Sequence, residues 1–158
     1  MKAEVRICFY HSARLQGWRK YVIGLMQWTE HTHVHLELRF NAYKLILITV
    51  DGSKPRVVRL GLNKKLFGVD PYAQVSMGII NLKEDAFEWI LAYPETHHWA
   101  LIWYQILRYF NKEDKINIPP TCTTFVIDFL NVHHKNFPRL FSPKQLWRYL
   151  YDGSYDWR

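Results

Sequence analysis

Thr121-Cys122-Thr123-Thr124 and Thr32-His33-Val34-His35-Leu36-Glu37-Leu38 are the two stretches of this chain whose residue types can do covalent chemistry together. A cysteine in the first turn of a helix has its thiolate favoured by unpaired backbone N–H groups and by the helix dipole, and the same amides can receive an oxyanion. An imidazole fixed on a neighbouring strand can take the thiol proton. The pair would then act as nucleophile and base in acyl transfer. In a strand, His31, His33, His35 and Glu37 share one face, and Thr32, Val34, Leu36 and Leu38 share the other. The apolar face belongs to the core. The polar face must be exposed, line a cleft or be paired internally, because burying such groups without partners is costly. The ordinary fate of a free cysteine is burial in the core. Against that stand the flanking threonines and the rigid Pro119-Pro120 lead-in, which hold Cys122 at a helix mouth.

The pattern along the chain supplies the elements that would position these groups. Glu4 to Tyr10 alternates as a strand, and Ser12 can cap a helix from Arg14 to Trp28 with Leu15, Trp18, Val22, Leu25 and Met26 at helical spacing. Thr32 to Phe40, Tyr43 to Val50 and Arg56 to Leu60 read as strands of an antiparallel meander, turned at Asn41 and at Asp51-Gly52-Ser53. Leu62 to Tyr72 reads as a loop and Gln74 to Leu82 as a further strand. Acids at Glu84 and Asp85 open a helix to Tyr93, and a second runs from Thr96 to Phe110; both are expected to cover the sheet. Cys122 falls in the first turn of a helix through Asn131. Ser142 as N-cap and Pro143 at the first helical position open the last one, to Asp152.

At 158 residues, with 49% hydrophobic and 16% aromatic residues, the chain suits one domain, spanning 1–158, with a well-filled core. No apolar run is long enough for a membrane span, and the first residues do not read as a signal peptide. Two cysteines in unlike settings argue against a disulfide framework and against a cysteine-based metal site; Cys8, in an alternating strand, reads as a small buried hydrophobe. The net charge of +7 predicts a surface that attracts anionic polymers without choosing among them.

Taken in order, these pieces resemble a known family, the circularly permuted NlpC-like branch of the papain-like cysteine hydrolases, which includes YiiX-type and lecithin retinol acyltransferase-like proteins. The resemblance rests on the strand with Phe9-Tyr10, the segment Leu25-Met26-Gln27-Trp28-Thr29, the Thr32-His33-Val34 strand, Cys122 ahead of an apolar helix, and Ser142-Pro143-Lys144-Gln145-Leu146. It implies an α+β, papain-like (permuted NlpC-like) fold, an antiparallel sheet packed against helices. It further implies a cysteine hydrolase acting on peptide or acyl substrates, cell-wall peptides among them, with no cofactor and no metal. Cys122 would be the nucleophile and His33 the base, oriented by His35 or by Asn41. A shifted register would make His35 the base and Glu37 its partner. Proteins similar to this are frequent in bacteria and tailed bacteriophages, which implies a bacterial cytoplasm or a virion, with virion proteins as partners.

Two other classes stay open on the residues alone. His33-Val34-His35 is also the His-hydrophobe-His pattern of metal-dependent single-strand DNA nicking enzymes, with Tyr104 or Tyr109 as the nucleophile. A zinc site of His31, His33 and His35, completed from His97-His98 or His133-His134, is a related option. A papain-like scaffold serving as a structural or binding protein is the nonenzymatic reading, and the seven tryptophans and ten tyrosines would suit a partner surface.

Overall fold

The computed structural model of the chain describes residues 1–11, 31–49, 54–66, 68, 70–95, 98–110 and 117–152. The expected helix from Arg14 to Trp28 and the turn at Asp51-Gly52-Ser53 lie outside the described residues. Strands β1 (Lys2–His11), β2 (His31–Arg39), β3 (Tyr43–Ile48), β4 (Arg56–Gly61) and β5 (Ala73–Asn81) form an antiparallel sheet in the order β4-β3-β2-β1-β5. The α+β class and the β2-β3-β4 meander follow the alternation in the sequence. The partner of β5 does not, since β5 returns across the intervening chain to flank β1.

One face of the sheet is apolar by register: Val5 opposes Leu38, Ile7 opposes Leu36, Phe9 opposes Val34, and Leu36 opposes Leu47. The described helices are α1 (Ala86–Ala92), α2 (His98–Tyr109), α3 (Cys122–Val132) and α4 (Pro143–Asp152). α3 and α4 pack on β2. Ile90 of α1, Phe125, Val126, Phe129 and Leu130 of α3, and Leu146 of α4 join the strand residues in one buried cluster. Each such large side chain, fully buried, contributes roughly 1.5–3 kcal/mol. α1 reaches this cluster with Ala86 and Ile90, and its Trp89 ring lies 5.9 Å from those of Phe125 and Phe129 of α3. α2 departs from the expectation: Tyr104 is buried against the Phe141 ring, but Trp103, Ile106 and Tyr109 are exposed.

The second face is covered over β2 and β3 and open along β5, where Gln74, Ser76 and Ile79 are exposed. Cys8, Ile46, Ile48 and Leu66 are buried there, with Tyr10, Val58 and Leu60 packed beside them. This removes the exposed-edge outcome for the polar face of β2. At the β1–β5 border the register slips between Val5 and Arg6, and Gly78, opposite Val5, takes a φ of 80°. A bulge of this kind needs the left-handed conformation that glycine adopts without a Cβ penalty.

Candidate functional site

Cys122 is the first helical residue of α3. Thr121 is its N-cap, extended at φ −134° and ψ 172°. The Thr124 amide donates to Thr121 Oγ1 (3.0 Å) and the Thr121 amide donates to Thr124 Oγ1 (2.7 Å), closing a capping box with threonine at both corners. The cap consumes the Thr124 amide and does not use that of Thr123, one position nearer the mouth. Thr121 Oγ1 also lies 3.1 Å from the carbonyl of Phe141, which ties the start of α3 to the chain entering α4. That entry has its own box: Gln145 Oε1 accepts from the amides of Phe141 (2.8 Å) and Ser142 (3.2 Å), while the Gln145 amide donates to Ser142 Oγ (3.3 Å). The Thr-Cys and Ser-Pro-x-Gln segments thus meet at two helix mouths joined by one hydrogen bond.

Cys122 is half-buried at the rim of the main cluster. At 3.6 residues per turn it heads the stripe of Val126 and Phe129, both fully buried, so its side of the helix turns toward the sheet. Cys8 differs in every respect. It is buried on the second face, where desolvation, reinforced by Glu37, pushes its thiol up to about 12.

β2 sorts its polar residues by depth. His33, His35 and Glu37 share the second face, opposite Tyr10, Cys8 and Arg6 of β1 in turn. His33 is half-buried near the N-terminal end of the strand. His35 is only 6% exposed, its ring 5.6 Å from that of His33 and 5.0 Å from that of Tyr10, centroid to centroid. Its Nδ1 has no hydrogen-bond partner. Burial, with a smaller contribution from His33, lowers its pKa to about 3, so it is neutral near pH 7 and is a poor base. Glu37 is buried too, and its carboxylate is held by Lys44 Nζ at 3.1 Å and Arg39 Nε at 3.4 Å. The alternative in which Glu37 orients His35 therefore meets a carboxylate already committed to two cations. Asn41 is exposed in the turn after β2; with about 3.3 Å per strand residue, the six steps from His33 to Arg39 alone separate it from His33 by roughly 20 Å. Asn41 cannot orient His33, and that assignment is corrected.

α3 lies over the Val34-Leu36-Leu38 face, whereas the imidazoles leave β2 on the other. Of His33, His35 and Glu37, His33 stands nearest the N-terminal end of β2.

The rival chemistries lose parts. Tyr104 is buried in the core beside Phe141. His133 is buried, with Nδ1 2.8 Å from the Phe129 carbonyl and its ring 4.5 Å from that of Phe129, so it closes the C-terminal end of α3. Among the described residues no group of three or more His, Cys, Asp or Glu is placed to hold a metal ion. Among them, too, no helix is long and apolar enough to cross a membrane.

Sequence reasoning missed the polar set on the far side of α3. The Tyr93 hydroxyl donates to Asp128 Oδ2 at 2.7 Å and lies 3.3 Å from Thr124 Oγ1. Burial raises the pKa of Tyr93 well above its ordinary value and raises that of Asp128 against the opposing pull of the Tyr93 hydrogen bond and of Arg139. An aspartate in the middle of the apolar run Phe125 to Leu130 was the signal available in the sequence. Scans of this chain against protein-family models, curated proteins and solved structures give no match.

Proposed function

We propose that this chain is a cysteine hydrolase of amide or ester bonds, with Cys122 as the nucleophile and His33 as its base. The observation that carries the reading is the position of Cys122, half-buried at the mouth of a helix opened by a capping box and on the side of that helix turned toward β2. In the reaction, Cys122 sulfur attacks the carbonyl carbon as its proton passes to His33. The amide of Thr123 is the donor available to the resulting oxyanion, and the imidazolium returns its proton to the leaving group. Water then resolves the acyl-enzyme by the same route. His35 and Glu37 take no proton in this scheme: His35 backs the His33 ring as a neutral neighbour, and Glu37 anchors two cations. The resemblance to permuted papain-like hydrolases supports the same assignment and suggests cell-wall peptides or acyl-linked substrates.

The test is the pH dependence of iodoacetamide labelling at Cys122. A base-paired thiolate at a helix mouth reacts well below pH 8.5, and His33→Gln should slow labelling at pH 6.5 by about ten-fold while leaving it little changed at pH 9.5. An ordinary thiol profile, indifferent to His33→Gln, would sink the proposal.

A further inference from the structure

α2 turns an apolar arc away from the protein. Trp103 is 58% exposed and Tyr109 83%, with Ile106 and Phe110 open beside them, so four of the nine large hydrophobic side chains exposed among the described residues fall within eight consecutive positions. The Phe110 amide donates to the Ile106 carbonyl at 3.3 Å, which carries the helical course through Phe110, and the Tyr109 and Phe110 rings meet edge to face at 5.3 Å. At about 100° per residue the four side chains span an arc of roughly 120°. Tyr104, which α2 buries against Phe141, stands roughly 160° from the middle of that arc. The anchor therefore fixes the stripe facing outward, and a clustered apolar patch of this kind marks an interaction surface.

The charge in the segments around the stripe has one sign. From 96 to 112, between Glu95 and Glu113, the sequence holds no acid and carries Arg108 and Lys112. From 129 to 151, between Asp128 and Asp152, it again holds no acid and carries Lys135, Arg139, Lys144 and Arg148. The contact of Tyr104 with Phe141 brings the two segments together. Of the acids that bound them, Asp128 accepts the Tyr93 hydroxyl on the other side of α3 from Cys122.

We propose that α2 docks the protein on an anionic lipid surface, with Trp103, Ile106, Tyr109 and Phe110 seated among the headgroups and upper acyl chains and the two basic segments held toward the lipid charge. Charge and composition select this occupant. Tryptophan and tyrosine rings favour the boundary between water and acyl chains, where an apolar body and a polar tip are both satisfied. Each lysine or arginine close to an anionic surface adds about five-fold in affinity, whereas a second copy docked on the same stripe would set these cations against their like. At twelve residues α2 is too short to cross a bilayer, so it lies in the plane of the surface. The stripe includes neither Cys122 nor His33, and its failure would leave the hydrolase reading untouched.

Co-sedimentation of the full chain with vesicles of phosphatidylcholine alone, and of phosphatidylcholine carrying about 30% phosphatidylglycerol, tests the proposal. Binding to the anionic vesicles is expected to be about ten-fold or more tighter than to the neutral ones, and to weaken about ten-fold between roughly 0.1 and 0.5 M NaCl. Trp103→Ser combined with Phe110→Ser should weaken it a further ten-fold or so. Both side chains are exposed, so the far-UV circular dichroism and the melting temperature of this variant should match those of the wild type. Ile79→Ser, which removes an exposed isoleucine from β5, should leave vesicle binding unchanged. No vesicle binding, equal binding to both compositions, indifference to the paired serine change, or an equal loss in Ile79→Ser would overturn the proposal. So would a dimer in analytical ultracentrifugation that the paired serine change makes monomeric, since the stripe would then belong to a second copy.

Discussion

A thiol reacts according to what solvates its anion, and the two cysteines of this chain occupy opposite conditions. Cys8 is 1% exposed and its pKa stands near 12, so native protein treated with iodoacetamide at pH 7.5 should carry label on Cys122 and not on Cys8, as peptide mass spectrometry will read. His35 makes a second residue-scale prediction. Its folded pKa, about 3, lies below the unfolded value near 6.5, so the unfolded chain binds the extra proton between those limits. Stability from this group is complete above pH 6.5 and is lost as pH falls toward 3. Between pH 7 and pH 4.5 the wild type should lose about 2–3 kcal/mol that His35→Leu does not lose, a difference that urea titrations at the two pH values will measure. Alternation in the sequence assigned His33, His35 and Glu37 to one face correctly. It could not rank them, because depth in a sheet depends on what covers the second face, and that covering comes from residues such as Ile46 and Leu66, remote in sequence.

At the scale of elements, helix starts were the most legible feature, since a cap is local chemistry. Ser142-Pro143 opens α4 where the residue types said it would, and Cys122 lies in the first turn of α3 as its lead-in suggested. What local pattern omitted is that the two mouths are joined through Thr121 and the Phe141 carbonyl. Thr121→Ala should therefore cost more than an isolated cap, about 2 kcal/mol, and should also slow labelling of Cys122; Thr121→Ser should restore both. Gln145→Ala, which strips an acceptor from two amides at once, should cost about 1–2 kcal/mol in denaturant titrations without changing Cys122 reactivity. α2 misled because its apolar spacing promises a covering helix, whereas several of its described apolar side chains are exposed. Spacing reveals that a helix has an apolar face without revealing what, if anything, that face meets.

Across the whole molecule, the sheet carries one buried apolar face and a second face, covered only in part, that encloses Cys8, His35 and Glu37. The second depends on charge balance. Lys44→Met should leave Glu37 with Arg39 alone and cost about 3 kcal/mol, whereas the same change at exposed Lys54 should cost under 0.5 kcal/mol. The α+β class and the antiparallel meander were readable from alternation and turns, while the place of β1 between β2 and β5 was not, because long-range pairing leaves no local mark. That place has a consequence in time. The apolar side chains of β1, Val5, Ile7 and Phe9, are buried by partners as distant as Leu146, so the ribosome must add about 135 further residues before they are covered, which takes roughly 7–30 s at ordinary elongation rates. One edge of β1 also stays open until β5 has been made, and an open edge is the kind of segment that chaperones hold and that neighbouring chains can capture.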